Sequence, residues 1–199
     1  MKPAIRLALA AALMLPAAAG AQQMSPGYLF LKAIRDEDGN KVNDILGQPG
    51  QTIINTKDRT TGEGALHIVA KSGNLAYLRF LLAKGANPNL QDNRGNTPAL
   101  LAVESGSVEA INALAARKAN LNLGNSSGET PLIRAVQLRN LDMVRALVAA
   151  GANPDQADVI AGLSARDYAK RDTRTPALLK LLDEAPTAKP KAAVAGPRI

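Results

Sequence analysis

The chain has 199 residues, of which 46% are apolar and 3% aromatic, and it contains one His and no Cys or Trp. This composition supports one or two compact domains, or one elongated domain, with a sizeable apolar core. A chain without Cys has no disulfide, thiol nucleophile, iron–sulfur cluster or Cys-ligated zinc, and a single His excludes a metal site built on a His pair. We therefore predict a non-enzymatic chain with no cofactor and no metal.

The formal net charge of +7 is concentrated at the two ends of the chain. Lys2 and Arg6 lie in the first 21 residues, and Lys189, Lys191 and Arg198 lie in the last 15, without any acidic residue in either segment. Residues 22–184 therefore carry a net charge of only +2. Nucleic-acid binding requires a basic stripe on a folded face, so we predict no nucleic-acid partner.

The first 21 residues have the pattern of an export signal. Lys2 and Arg6 form a positive start, residues 7–15 are an unbroken apolar run, and small residues precede Gln22. This pattern predicts a secretory signal peptide that is cleaved after Ala21. Because the run is much shorter than the roughly 20 residues of a membrane-spanning helix, we expect no stable membrane insertion and an exported, periplasmic mature protein.

A repeat of 33 residues runs through the rest of the chain. In each unit the spacing of the apolar residues predicts one amphipathic helix, and a short apolar stretch after each repeating Gly predicts its partner helix. Pro98 and Pro131 lie near the start of that partner helix, where a missing N–H is tolerated. The columns at this spacing are Gly62, Gly95 and Gly128; Leu75, Val108 and Leu141; Leu78, Ile111 and Val144; Leu81, Leu114 and Leu147; and Leu82, Ala115 and Val148.

Two kinds of segment carry a resemblance to a known family. GEGALHIVAKSGN, GNTPALLAVESG and GETPLIRAVQLRN are similar to the T-P-L-H-x-A signature of ankyrin repeats. GANPNLQDNRG, KANLNLGNSSG and GANPDQADVIAG are similar to the hairpins that link such repeats. The chain therefore resembles an ankyrin-repeat protein, which implies an all-α solenoid of about five helix-turn-helix units with hairpin tips.

The repeat also predicts where the domains begin and end. We expect an N-terminal linker and capping repeat with helices near residues 29–35 and 41–46, and a C-terminal capping repeat with helices near 164–170 and 176–182. The tail is rich in Ala, Pro and Lys and has no apolar period, so we expect it to be disordered. The predicted segments are a signal peptide 1–21, an N-terminal cap 22–57, three repeats 58–157, a C-terminal cap 158–184 and a basic tail 185–199.

Some residues depart from the repeat. Lys118 stands where Gly85 and Gly151 end the outer helix of the other repeats, and Arg139 replaces the turn glycine seen at Gly73 and Gly106. The left-handed turn expected there favours glycine.

The resemblance implies that one set of residues is structural. Only the first repeat keeps the signature His, as His67, which in the family ties neighbouring turns together. A hydrolase that uses His67 is the competing interpretation, but no motif supplies an oxyanion site or a positioned third residue. The residues expected to have structural roles are His67, Gly62, Gly95, Gly128, Thr97, Pro98, Thr130 and Pro131.

The resemblance also implies that partners bind on the concave face, which consists of hairpin tips and the exposed flank of the inner helices. This surface is polar and of mixed sign, and we expect the chain to be a monomer that binds another protein there. The candidate contact residues are Arg59, Thr60, Thr61, Glu63, Lys71, Ser72, Asn93, Arg94, Asn96, Glu104, Ser105, Ser126, Ser127, Glu129, Gln137 and Leu138.

The expected function is therefore a non-catalytic protein-protein interaction module in the periplasm. Ankyrin proteins of the bacterial envelope are similar to this chain in size, leader and cap arrangement, which suggests an accessory to an envelope or stress enzyme. The alternative is an envelope-associated scaffold that docks on an anionic surface through its basic tail.

Overall fold

A computed structural model describes residues 25–48 and 53–185. These two ranges contain ten α-helices, one short 3-10 helix and no strand, which confirms the predicted all-α class. The predicted signal peptide lies outside the described residues, and so does the predicted tail from residue 186 onward. Ala185, which the sequence assigns to that tail, is buried at the end of the last helix, and its N–H donates to the carbonyl of Leu182.

The helices form five antiparallel pairs, in line with the helix-turn-helix solenoid that the repeat predicts. Inner helices α1, α3, α5, α7 and α9 stack in one layer, and outer helices α4, α6, α8 and α10 stack in a second. The bounds are α1 Pro26–Arg35, α2 Gly39–Leu46, α3 Ala65–Lys71, α4 Leu75–Ala83, α5 Pro98–Glu104, α6 Val108–Ala116, α7 Pro131–Gln137, α8 Leu141–Ala149, α9 Ala165–Arg171 and α10 Pro176–Glu184.

Polar side chains define where the helices begin. Thr97 and Thr130 cap α5 and α7 by accepting the N–H of Leu100 and Ile133, each at 3.2 Å. The helices of the N-terminal cap begin two or three residues earlier than the apolar pattern predicts, because the side chains of Ser25 and Asp38 cap them. A cap fixes a helix start more closely than an apolar stripe does, since it satisfies backbone N–H groups that the helix itself leaves free.

The apolar columns form the core between the two layers. Leu78, Ile111 and Val144 are fully buried, and the column of Leu81, Leu114 and Leu147 is equally inaccessible. The capping repeats extend the same columns, since Val42 in α2 and Leu178 in α10 are also fully buried. Each pair therefore completes its core only against its neighbours.

The two departures from the glycine columns adopt the backbone conformation that the repeat predicts. Lys118 has φ +60° and Arg139 has φ +54°, beside Gly85 and Gly106 with φ +89° and +73°. Glu37, which follows α1, is a third non-glycine residue in this region, with φ +55°. A side chain with a Cβ is disfavoured there.

We predict that Lys118→Gly stabilises the protein by about 1 kcal/mol, because glycine adopts the left-handed turn without strain. For a domain of this size that corresponds to a rise in Tm of about 2–4 °C in a thermal unfolding experiment followed by circular dichroism.

Gly85→Ala is the matched control, because Gly85 occupies the same turn one repeat earlier and a Cβ there meets no atom within 4 Å. Its Tm should fall, since only the backbone strain changes. A Lys118→Gly protein with an unchanged or lower Tm would contradict this account of the turn.

Candidate functional site

The hairpin tips are joined into a row by backbone hydrogen bonds between successive units. Asn93 donates its N–H to the carbonyl of Thr61 at 3.0 Å, Ser126 to that of Arg94 at 2.9 Å, and Val159 to that of Ser127 at 2.9 Å. These bonds recur along the four tips, so that the position of each tip is fixed by the one before it. One tip side chain adds to the row, since the amide of Asn93 donates to the carbonyl of Thr60 at 2.9 Å.

An Asp or Asn side chain closes each hairpin from within. Asp92 Oδ1 accepts the N–H groups of Arg94 and Asn96, both at 2.8 Å. Asp58 accepts those of Thr60 and Thr61 in the first hairpin. Asn125 and Asp158 do the same in the third and fourth hairpins.

The hydrogen bonds that close the first hairpin also keep its carboxylate charged. The N–H groups of Thr61 and Thr60, followed by the guanidinium of Arg35, lower the pKa of Asp58 to about 2. The carboxylate therefore remains an acceptor at neutral pH and holds the turn closed.

The glycine after each tip is required by space as well as by conformation. Gly62, Gly95 and Gly128 all have positive φ. A Cβ on Gly95 would lie 2.7 Å from the N of Ser126, and one on Gly128 would lie 2.7 Å from the N of Val159. Because these clashes involve the backbone of the next tip, any larger residue would disrupt the row.

His67 joins the first repeat to the second. Its ring is fully buried in α3. Nδ1 accepts the N–H of Gly64 at 3.0 Å, and Nε2 donates to the carbonyl of Asn96 at 3.0 Å. The ring thus caps the helix in place of the Thr found at residues 97 and 130, and both of its nitrogens are occupied.

The structure brings part of the predicted concave face together in a groove between the second and third repeats. The groove has a volume of about 450 Å³. Its lining includes two residues that the sequence did not single out, Asn125 and Arg134. The lining residues predicted from sequence are Asn93, Arg94, Asn96, Glu104, Ser126, Ser127 and Glu129.

Arg134 in α7 is the organising side chain of this groove. Its terminal nitrogens lie 3.0 Å from a carboxylate oxygen of Glu104 and 3.7 Å from one of Glu129. Its Nε is buried and has no hydrogen-bond partner among the described residues. In the two earlier repeats the same position is Ile68 and Leu101, so a charged residue in an apolar column was the signal that could have identified it.

The side chains of two predicted contact residues are held by hydrogen bonds within the chain. Asn96 is only 6% exposed, and its amide donates to Asp92 Oδ2 at 2.9 Å. The hydroxyl of Ser105 donates to the carbonyl of Ala70 in the preceding repeat at 2.8 Å. The hydroxyl of Ser105 thus supports the stacking of two units, and the amide of Asn96 supports its own hairpin. Contact of either residue with a partner stays a prediction.

The remaining predicted residues separate into paired and unpaired groups. Lys71 lies 3.6 Å from Glu63, and Ser72 donates to a carbonyl of its own helix. Among the described residues, no ion pair involves Arg59 or Arg94. The other predicted positions that are exposed are Thr60, Thr61, Asn93, Ser126, Ser127, Gln137 and Leu138.

The row of tips continues past the residues predicted from sequence. Val159 and Ile160 form the fourth tip and are 71% and 78% exposed. They occupy the same columns as Ser126 and Ser127, so their position in the repeat was the available signal. The polar row of tips therefore ends in an exposed apolar pair. Removing these two side chains from water would favour binding at this end of the row.

Across the part of the chain that the structure describes, no three His, Cys, Asp or Glu side chains cluster closely enough to hold a metal ion. None of the helices in the same ranges is both long and apolar enough to cross a bilayer.

The repeats described above also match a known protein family. The family model for ankyrin repeats matches residues 30–125 and 66–158, in three copies. The chain belongs to the ankyrin-repeat family. Ankyrin repeats are protein-protein interaction modules.

Individual relatives share only short stretches with this ankyrin-repeat chain. It is 41% identical over 68 residues to neurogenic locus notch homolog protein 1 of Xenopus laevis, which is 34% of this chain and 3% of that protein. It is 40% identical over 52 residues to the nuclear factor NF-kappa-B p110 subunit of Drosophila melanogaster, which is 26% of this chain and 5% of that protein. A putative ankyrin repeat protein of Acanthamoeba polyphaga mimivirus is 33% identical over 79 residues, which is 40% of this chain and 11% of that protein. The match in each case covers a small part of the relative.

His67 makes the stability of the fold depend on pH. Burial lowers the pKa of His67 below its ordinary value, and the hydrogen bond to Asn96 only partly offsets this. The unfolded chain therefore binds a proton at higher pH than the folded chain does. We predict that the free energy of unfolding falls as the pH drops below about 6.5, the pKa of an unperturbed His.

His67→Leu is the matched variant, because Leu100 and Ile133 occupy this position in the next two repeats. It should be less stable at neutral pH by about 1–3 kcal/mol, because the N–H of Gly64 and the carbonyl of Asn96 lose their partner. Urea unfolding between about pH 7.5 and pH 5 should also show a smaller loss of stability in the variant than in the parent. Equal pH dependence in the two proteins would show that His67 is not its source.

Proposed function

We propose that this ankyrin-repeat chain is a non-catalytic binding module that holds a partner protein against its concave face. The observation that carries the proposal is the separation of roles within the hairpin row. Backbone groups and the Asx side chains that close the hairpins fix the tips, so the exposed side chains of Arg59, Arg94 and Ser127 are left for a partner. A surface that is already ordered loses little conformational freedom on binding.

The charge distribution on this face favours a partner with carboxylates near the tips. Glu63 is paired with Lys71, and Glu104 and Glu129 are paired with Arg134. Arg59 and Arg94 have no comparable anion among the described residues, and Arg is one of the residue types that dominate interface energies. The tip row thus presents two guanidinium groups that a partner can pair.

The environment of the single His supports a role without catalysis. A general base must reach a substrate proton through a free ring nitrogen. Both nitrogens of His67 are engaged in buried hydrogen bonds, with Gly64 and Asn96. The interpretation as a hydrolase therefore has no support in this geometry.

Export and a periplasmic setting are part of the same proposal. They are supported by the charge, apolar run and small residues of the first 21 residues. The proposed partner is an envelope protein, such as an envelope or stress enzyme, and the chain acts on it as a monomeric accessory.

The proposal predicts that capture of the partner depends on the tip arginines. We would express the full chain with an affinity tag in its native host, crosslink, and compare the parent with an Arg59→Ala/Arg94→Ala double variant. The control is Arg79→Ala/Arg145→Ala, which removes the same charge from exposed positions on the outer helices α4 and α8. A partner that the parent and control both enrich, and the tip variant loses, is the expected result.

All proteins must first show equal circular dichroism spectra and Tm values. If the tip variant and the control enrich the same partner as strongly as the parent, the hairpin row is not the binding surface. If only the control loses the partner, binding belongs to the outer helices.

A second candidate is the scaffold that docks on an anionic surface, and one feature of the outer helices favours it. Exposed cations on and just after these helices have no acidic partner among the described residues. They would add to the three cations of the tail. The set comprises Arg79, Lys84, Arg117, Lys118, Arg145 and Lys180.

Sedimentation with vesicles of phosphatidylglycerol tests this scaffold directly. The scaffold predicts that the parent binds at low ionic strength and is released at about 0.5 M salt. It also predicts that both the deletion of residues 186–199 and Arg79→Ala/Arg145→Ala weaken binding. Capture of the partner by the deletion variant, together with no vesicle binding by the parent, would eliminate the scaffold and leave the concave-face module.

A further inference from the structure

A cleft between the third repeat and the C-terminal cap concentrates positive charge. It has a volume of about 330 Å³, and its walls include Arg139, Arg171 and Arg174 around the carboxylate of Asp172. Tyr168 closes one side, and its hydroxyl donates to Asp158 at 2.6 Å. The three arginines come from the turn after α7 and from the end of α9, so the cleft exists only when the two units stack.

One carboxylate serves two of these guanidinium groups. Asp172 accepts a hydrogen bond from Arg139 Nε, and it lies 3.7 Å from Arg174 Nε. The N–H of Arg174, with Arg139 adding to it, lowers the pKa of Asp172, which therefore stays ionised. Arg171 has no ion pair within the described ranges, so the cleft keeps a net charge of +2 from these four residues.

The backbone of Arg139 indicates that this charge is placed at a conformational cost. Arg139 has φ +54°, and the corresponding turns of the two earlier repeats have Gly73 and Gly106. A glycine would adopt this turn without strain. A strained non-glycine residue that projects a cation into a cleft is an observation from which a binding role can be inferred.

An apolar contact lies next to the charged one. Leu138, directly before Arg139, is 48% exposed at the end of α7. Leu138 does not line the cleft itself, so a ligand that pairs with the arginines covers this side chain only if it extends past Arg139. A segment of a protein that carries both carboxylates and an apolar residue matches this surface.

We propose that the cleft binds an acidic segment of a partner protein, whose Asp or Glu carboxylates pair with Arg139, Arg171 and Arg174. The planar guanidinium forks suit carboxylates, since each can donate two parallel N–H groups. This inference rests on the proposed function and names the chemistry of the partner. It places the recognition of acidic residues at the far end of the concave face from the tips.

The test uses the full chain and a fluorescein-labelled peptide of sequence Glu-Glu-Leu-Glu-Glu, with the matching Gln peptide as a neutral probe. Fluorescence anisotropy at low ionic strength should show binding of the Glu peptide only. Arg139→Gly and Arg171→Gln should each weaken that binding about tenfold, because a charge-assisted pair is lost.

Arg139→Gly separates binding from folding, since it relieves the turn and Asp172 keeps the N–H of Arg174 as a hydrogen-bond partner. Its Tm should therefore not fall while its affinity does. The control is Lys118→Gly, which also removes one cation from a left-handed turn but lies on the outer side of the second repeat. Its affinity for the Glu peptide should equal that of the parent.

Equal affinity of the parent and both cleft variants, or equal binding of the Glu and Gln peptides, would overturn the proposal. Binding of phosphatidylglycerol vesicles through these arginines without binding of the Glu peptide would also overturn it and assign the cleft to a lipid surface. The capture experiment distinguishes this failure from that of the proposed function. A partner lost on Arg59→Ala/Arg94→Ala leaves the binding module intact even if the cleft does not bind the peptide.

Discussion

Each helix pair of this chain completes the burial of its apolar columns against the pairs before and after it, and the rest of the structure depends on that stacking. Leu81, Leu114 and Leu147 are fully buried because outer helices from neighbouring units cover one another. The polar contacts have the same character, since His67 bonds Asn96 and Ser105 bonds Ala70 across a unit boundary. Stability in such a fold is the sum of weak units and the interfaces between them.

The two terminal units are stabilised by additional polar contacts, because each has a neighbouring unit on one side only. In the C-terminal cap, Arg166 donates to Asp155 and Asp183 at 2.8 and 2.9 Å and to the carbonyl of Leu182. In the N-terminal cap, the hydroxyl of Tyr77 donates to the carbonyl of Glu37 at 2.9 Å. These contacts have no counterpart in the 33-residue period, and they hold the caps to a core that the period alone would leave open.

The same stacking separates the residues that build the frame from those that form the surface. The backbone of each tip is used by the next tip, and the Asx side chains below it are used by the hairpin. What remains exposed, such as Arg94 and Ser127, is free to differ from repeat to repeat without cost to the frame. Arg134 on α7 and Arg139 in the turn after it also differ from the earlier repeats, since a charged residue replaces an apolar residue or a glycine, and Arg139 does so at a conformational cost.

The sequence by itself determined the features that follow from residue types recurring every 33 residues. The columns of apolar residues specify the two layers, and the turn positions of Lys118 and Arg139 follow from their alignment with glycines, because φ is a property of one residue. The predicted helix starts were less accurate in the N-terminal cap, because the side chains of Ser25 and Asp38 cap the helices before the first apolar residue of the pattern.

Only the tertiary structure decided which of the predicted side chains remain accessible. Asn96 follows a turn glycine just as Glu63 and Glu129 do, yet Asn96 is buried against Asp92 while the two glutamates remain on the face. Arg139 is far in sequence from Arg171 and Arg174, so no motif joins it to them, and the three meet because the third repeat stacks on the cap. The physical reason is that a period fixes where each backbone position lies, whereas the pairing of a polar side chain depends on every neighbour within reach.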